Sequence, residues 1–306
     1  MKLVQFNDAH IKGSSPKNRS DDYPETLWNK FQQLTKFIQE NNIEAVLNGG
    51  DLFDTPDPAT GVVNKYLQLF KQWDIPIYSV VGSHDKFGYN DATIERTALG
   101  TLKAAGVITI INNPIHIGSN CSIAGVSHSY NLDEHPATDY YRPKLNEDYL
   151  IQLCHGMITE GPFFGKYTLY NQIQTEADLV ICGHYHPGFG PYTVDDSIVI
   201  NIGSMGRTEN TTRKYLPSFL FIDTDIPSFK VIPFEVNSFP FISKDTVSPE
   251  SLIDIGKFIT ALKEQSGNLG VSNLKDLLLA IGKDENIPKN IIELALTYVE
   301  TDDISN

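Results

Sequence analysis

Ala45-Val46-Leu47-Asn48-Gly49-Gly50-Asp51-Leu52-Phe53-Asp54 is the stretch on which the fold turns. Its first four residues read as a short buried strand. Paired glycines then let the chain turn tightly and present Asp51 and Asp54 beyond the strand end. A helix is expected on either side. The first is Glu25–Gln39, with Leu27, Phe31, Leu34 and Ile38 on one stripe and Asp22 or Tyr23-Pro24 at its start; the second is Ala59–Trp73. Further out come the strands Lys2–Asn7 and Pro76–Val81, then a helix over Thr93–Ala105 closed by Gly106. This βαβαβα order predicts a mainly parallel sheet with helices outside.

After Gly106 the pattern changes. Short strands are expected at Val107–Ile111, Ile115–Ile117, Ser122–Val126, Tyr149–Cys154, Leu179–Cys182, Ser197–Ile202, Ser218–Asp223 and Phe229–Phe234. These are too many for one sheet with helices on both faces, so two sheets packed face to face, with helices outside, fit better. The long loop Ser127–Asn146, rich in Tyr, His, Pro and Asp, reads as functional or mobile. Composition shifts near Phe241–Ser248. Beyond it, helices are expected at Leu252–Leu262, Ser272–Ile281 and Pro288–Val299. The expected division is a catalytic domain over residues 1–240 and a small helical accessory domain over 247–306.

Composition narrows the class. With 306 residues and 41% hydrophobic content, the chain can bury a sizeable core. No charged and apolar leader opens it and no apolar run is long enough to span a bilayer, so the expected location is the cytoplasm. Cys121, Cys154 and Cys182 sit in strand-like runs without zinc-type spacing and read as buried free thiols. The formal charge of −14 argues against a nucleic-acid binder. Bound cations would invert the local field, however. The cations Lys12, Lys17, Arg19, Lys86, Arg207, Arg213 and Lys214 also cluster after the acidic and histidine motifs.

Those motifs follow strands in a fixed order. Lys2–Asn7 delivers Asp8 and His10, and Ala45–Asn48 delivers Asp51. Pro76–Val81 delivers Ser83, His84 and Asp85, Tyr149–Cys154 delivers His155, and Leu179–Cys182 delivers His184 and His186. Ligands of open α/β sheets gather outside the carboxyl ends of strands. A lone Asp-x-His or Gly-Asp-x-x-Asp has an ordinary reading as a loop or an Asx turn. The conjunction, repeated after strand upon strand, points to chemistry. Carboxylate and imidazole donors without thiolates suit Mn²⁺, Fe²⁺ or Zn²⁺. The set suffices for two divalent ions, with one histidine to spare. Two such ions, about 3.5–4 Å apart, can clamp both oxygens of an in-line displacement.

Together these five blocks resemble the calcineurin-like metallophosphoesterases over roughly residues 1–235. That resemblance implies a four-layer α-β-β-α sandwich. It implies one metal on Asp8, His10, Asp51 and His186, and a second on Asp51, Ser83, His155 and His184, with Asp51 bridging. Mn²⁺ is the expected ion, with Fe²⁺, Zn²⁺ or Mg²⁺ as alternatives. His84 then acts beside the metals as general acid or phosphate stabiliser. Ser83 departs from the family's asparagine, and a hydroxyl is the poorer neutral ligand.

Gly50-Asp51-Leu52-Phe53-Asp54, Asn201-Ile202-Gly203-Ser204-Met205-Gly206-Arg207 and Phe234-Glu235-Val236 resemble the SbcD-type DNA-repair exonucleases and their phage relatives. The small accessory part reads as a compact, phage-encoded version. Asp54 and Arg207, which stand in these strings, join His84 as candidate catalytic residues. The resemblance implies a DNA substrate and an SbcC-type coiled-coil ATPase partner, and leaves a homodimer open. Tyr89, Tyr185, Phe189 and Tyr192 could stack bases. A small-molecule phosphodiesterase or phosphatase, and a non-catalytic scaffold, are the alternatives.

Overall fold

In a computed structural model the chain is described over residues 1–242, apart from 147–148, 164, 211–214 and 237–239. It runs β1 (Lys2–Phe6), α1 (Tyr23–Glu40), β2 (Ala45–Asn48), α2 (Thr60–Trp73), β3 (Ile77–Ser79), α3 (Ala98–Ala104), β4 (Thr109–Ile110), β5 (Ile115–His116), β6 (Cys121–Val126) and β7 (Tyr149–Cys154). There follow β8 (Ile158–Thr159), β9 (Thr168–Leu169), β10 (Leu179–Cys182), β11 (Phe189–Val194), β12 (Ser197–Asn201), β13 (Ser218–Asp223) and β14 (Ser228–Pro233). One six-stranded sheet has the order β14-β13-β1-β2-β3-β4, the other β11-β12-β10-β7-β6-β5. In the first, β1, β2, β3 and β4 are parallel. In the second, β6, β7, β10 and β12 are parallel. This is the expected mixed α/β architecture.

Alternation along the strands builds three apolar layers. Val4, Phe6 and Val46 face α1, α2 and α3. Leu3, Ala45 and Leu47 face the opposite way and meet Ile151, Leu153, Leu179 and Ile181 of the second sheet. Leu150, Cys154, Val180 and Cys182 point outward from that sheet, under Leu132 and Tyr140 of the long loop. The outermost layer on this side is therefore mostly loop, with the short helical turns Pro136–Asp139 and Tyr170–Gln172. Cys121, Cys154 and Cys182 are buried, as expected.

The stripe of α1 is the one read from sequence. Leu27, Phe31, Leu34 and Ile38 are buried, and the Asp22 side chain caps the helix by accepting from Glu25 N. Phe31 lies at the centre of an aromatic group, with ring centroids 5.5 Å from Phe6, 5.2 Å from Tyr66 and 5.7 Å from Phe70.

Other boundaries differ. The helix expected over Thr93–Ala105 is broken at Thr97, which is extended (φ −105°, ψ 171°) and caps α3 by accepting from Gly100 N at 3.1 Å. The segment before it, Asp91–Arg96, is a 3₁₀ helix. β11 escaped the reading because Gly190-Pro191 interrupts its pattern, and its pairing with β12 shifts register there. The accessory helices expected over 247–306 lie outside the described residues. Among the described residues, no helix is long and apolar enough to cross a membrane.

Phe31→Ala should cost about 3–5 kcal/mol, because the surrounding rings cannot all collapse into the space. Urea unfolding should show a lower midpoint with an unchanged slope. A loss under about 1 kcal/mol would mean that this layer repacks freely.

Candidate metal centre

Parallel pairing continues past the strand ends and carries the motifs together. Asp8 N donates to Gly50 O (3.2 Å), His10 N to Asp51 O (3.0 Å) and Ile11 N to Leu52 O (2.9 Å). In the other sheet, His155 N donates to Val126 O and Gly183 N to Cys154 O, both at 2.8 Å. The sheets are tied at this edge by Asn7 Nδ2 donating to Cys182 O (2.7 Å) and His184 N to Asp8 Oδ1 (3.1 Å). Space is tight. A Cβ on Gly50, whose φ is +96°, would lie 2.3 Å from His155 Nδ1, and one on Gly82 would lie 2.0 Å from Asp51 Oδ1.

The result is an acid and imidazole cluster. Asp8, His10 and His186 place ligand atoms within 4.8 Å of one another, as do Asp51, His155 and His184, and His10, Asp51 and His84. His10 Nε2 faces His186 Nε2 at 3.0 Å and Asp51 Oδ2 at 3.9 Å. His155 Nε2 lies 3.2 Å from Asp51 Oδ2, and Ser83 Oγ 3.3 Å from the same oxygen. His155 Nδ1 donates to Gly49 O (2.7 Å), which turns its Nε2 lone pair inward. Asp8, His10 and Asp51 (φ 48° each) and His184 (φ 71°) all hold left-handed backbone conformations, which non-glycine residues adopt at a cost.

The electrostatics fit divalent cations. Burial pushes Asp8 up to about 7, against the pull of His155. Burial would also raise Asp51, but His155 and His10 hold it well below the usual carboxylate range. For His155, burial is outweighed by Asp51 and Asp8, and the imidazole rises to about 9. Burial lowers His10 to about 4 and, with the His155 charge beside it, His184 to about 3. His10 Nδ1 and His155 Nε2 are buried without a hydrogen-bond partner. Converging lone pairs and buried carboxylates, with no thiolate among them, are a donor set for Mn²⁺, Fe²⁺ or Zn²⁺.

The other predicted residues fall around this cluster. His84 is held through N donating to Asp51 Oδ1 (2.8 Å) and through Nδ1 against Asp54 O (2.7 Å). Asp54 thus acts through its carbonyl, while its carboxylate takes Lys12 Nζ (2.5 Å) and lies 3.6 Å from His10 Nδ1. Arg207 is buried, its guanidinium 5.4 Å from the Phe241 ring. Arg19, expected among the cations clustered after the motifs, is also buried. It binds Asp21 through two 2.7 Å hydrogen bonds and donates to Arg207 O. Lys86 is fully enclosed against Asp91 and His128 O, and Lys17 is exposed. Arg213 and Lys214 lie outside the described residues. Phe189 is buried in the core and cannot stack a base. Tyr192 is stacked on Tyr170 and donates to Glu160 (2.7 Å).

Four supporting residues had no role in the sequence reading. Asp85 is buried and accepts from Gly82 N (2.8 Å) and Leu52 N (3.1 Å), fastening two motif loops. Tyr23 Oη contacts Ala9 O and His10 O, each at 3.0 Å. Lys30, in the buried face of α1, donates to Met205 O at 2.5 Å. His128 packs beside His184, and burial together with the His155 charge pushes it down to about 4. Asp85 was visible within its motif; the others depend on tertiary contacts.

The cluster thus lies at the aligned strand ends of two facing sheets. The family model for calcineurin-like phosphoesterases matches residues 1–188, and the chain belongs to that family. Family members use a dinuclear metal centre. The chain is similar to the DNA double-strand break repair protein Mre11 of Sulfolobus acidocaldarius, with 22% identity over 213 residues, 67% of this chain and 54% of that protein. The protein of the same description from Saccharolobus solfataricus is 23% identical over 214 residues, 67% of this chain and 54% of that one. The chain spans about half the length of the curated relatives it matches. Among solved structures, a dimetal phosphatase from Danio rerio is 9% identical with a TM-score of 0.48, over 76% of this chain and 96% of that one.

Cation binding should be steeply pH-dependent. Burial holds Asp8 up at about 7, and Asp51 and Asp8 hold His155 up at about 9, so cation binding must displace protons from both. Mn²⁺ affinity should rise as pH climbs from below the first value to above the second. Calorimetry in buffers of different ionisation enthalpy should register the released protons. A pH-independent affinity would contradict the arrangement.

Proposed function

We propose that this chain is a two-metal-dependent phosphodiesterase that cuts DNA, with Mn²⁺ as the working ion. The observation that carries the reading is the sharing of Asp51 between the donors of both sheets: Asp51 with His155 and His184 on one side, and His10 with Asp8 and His186 on the other. In this reading Asp8, His10, Asp51 and His186 hold one ion, and Asp51, Ser83, His155 and His184 the other. The bound pair would activate water and neutralise phosphate charge.

The chain's own groups do the rest. Asp51 would compensate both ions from one buried site. Burial opposes a charge on His84, but Asp51 and the Asp54 carbonyl outweigh it and raise its pKa, so that it carries a proton at higher pH than an ordinary imidazole. With Nδ1 tied to the Asp54 carbonyl, its other nitrogen is left to donate to a phosphoryl or leaving oxygen. Lys12 restrains the Asp54 side chain and so the loop that orients His84.

DNA is favoured as substrate by the similarity to the archaeal double-strand break repair proteins and by the SbcD-like strings. An SbcC-type ATPase partner belongs to the same reading. The segment over 247–306 is its proposed contact, because an acidic chain needs help in holding DNA.

The test offers linear duplex DNA, single-stranded DNA and a chromogenic phosphodiester to the protein with Mn²⁺. DNA hydrolysis that chelator abolishes is the expected result. Hydrolysis of the small diester alone would favour a small-molecule phosphodiesterase, and none with both ions bound would favour a scaffold. His84→Ala should lower turnover by about 10²–10⁴-fold while metal content stays at the wild-type level. Loss of an ion in that variant would instead make His84 a ligand.

A further inference from the structure

Tyr89, one of the aromatics that the sequence offers for stacking a base, stands beside the cluster with His128, which has no part in the roles given above. Tyr89 is 54% exposed. Its φ is +57° and that of Gly88 before it is +54°, so a tyrosine is held where L side chains are disfavoured. The loop is braced to keep it there: Asn90 N donates to Phe87 O, and Phe87 N to Thr93 Oγ1, each at 3.0 Å.

His128 is fixed from the other side. Its N donates to Val81 O (2.9 Å), and its carbonyl accepts from the enclosed Lys86. The His128 ring lies 5.2 Å from Tyr89 at an interplanar angle of 45°, and 5.5 Å from His184 at 50°. Three rings therefore form a file from solvent to the second set of donors. Nδ1 of His128 is buried yet makes no hydrogen bond, so a polar group that the protein does not supply would complete it. His128 is outside every group that could hold a metal among the described residues. Of the other aromatic candidates, Phe189 lies in the core, Tyr192 stacks on Tyr170 and Tyr185 packs against Phe163.

We propose that Tyr89 and His128 form a stacking platform for the nucleobase attached to a phosphate held at Asp51, His155 and His184. The ligand is a planar heteroaromatic base joined to a phosphate, from a free nucleotide or from the end of a strand. The proposal rests on the phosphodiesterase reading, since the phosphate must lie at the cluster. A base on an aromatic face gains affinity without sequence readout, which suits a general nuclease.

The test is calorimetric titration of the full chain, in Mn²⁺, with inorganic phosphate, thymidine 5′-monophosphate and hexathymidylate. The mononucleotide should bind about 10-fold more tightly than phosphate. Tyr89→Ala should bring that ratio close to one, and Tyr89→Phe should restore it. His128→Ala should lower it as well. Hexathymidylate binding more tightly than the mononucleotide marks a strand as the source of the base; equal binding marks a free nucleotide. A wild-type ratio near one, or an unchanged ratio in Tyr89→Ala, overturns the platform. DNA hydrolysis by the same preparations separates the two ideas. Cleavage with a ratio of one removes the platform alone, and a ratio that depends on Tyr89 without cleavage removes the nuclease reading alone.

Discussion

A single buried carboxylate, Asp51, is the group on which the rest of the site depends. One oxygen accepts from His84 N at 2.8 Å; the other lies 3.2 Å from His155 Nε2, 3.3 Å from Ser83 Oγ and 3.9 Å from His10 Nε2. An acid enclosed to this degree persists only with compensating charge and hydrogen bonds. The compensation comes from both sheets. β2 and β3 deliver Asp51 and Ser83, while β7 delivers His155. The apolar layer between the sheets is therefore also the frame of the active cluster. Packing Leu47 and Val80 against Ile151 and Ile181 aligns the strand ends that carry the cluster.

The frame also sustains local strain. Left-handed conformations at Asp8, His10, Asp51 and His184 would relax in a free loop. Here the Asp8 and Asp51 loops are pinned from behind, and His184 N is tied to Asp8 Oδ1. Tyr23 reaches the carbonyls of Ala9 and His10, Asp85 accepts from the amides of Gly82 and Leu52, and Lys30 holds Met205 O. Helix α1 thus serves the site although no cluster residue lies on it. Its buried lysine and tyrosine are positioning groups that hold the backbone behind the donors.

Much of this was legible in the sequence because strand-end chemistry is local. An apolar run, a glycine turn and an acid or histidine are contiguous, so Asp8, Asp51, Ser83, His84, His155, His184 and His186 could each be read where they stand. The stripe of α1 was equally local. What escaped was set by partners distant in sequence. Lys30 had no place in the sequence reading and is buried against Met205. Arg19 was read with the cations around the motifs and is clamped by Asp21. Phe189 looked like a rim aromatic and fills the core. His128 sits in a loop with no motif around it, and only the packing of β6 beside β7 and β10 brings it to His184.

The central claim is that two ions share Asp51. Electron paramagnetic resonance of the full chain titrated with Mn²⁺ tests it most directly, because ions joined by one carboxylate are exchange-coupled. The account predicts uptake of two Mn²⁺ per chain with a coupled spectrum, and loss of the coupling in Asp51→Asn. One ion, or two magnetically independent ions, in the wild-type chain would contradict it.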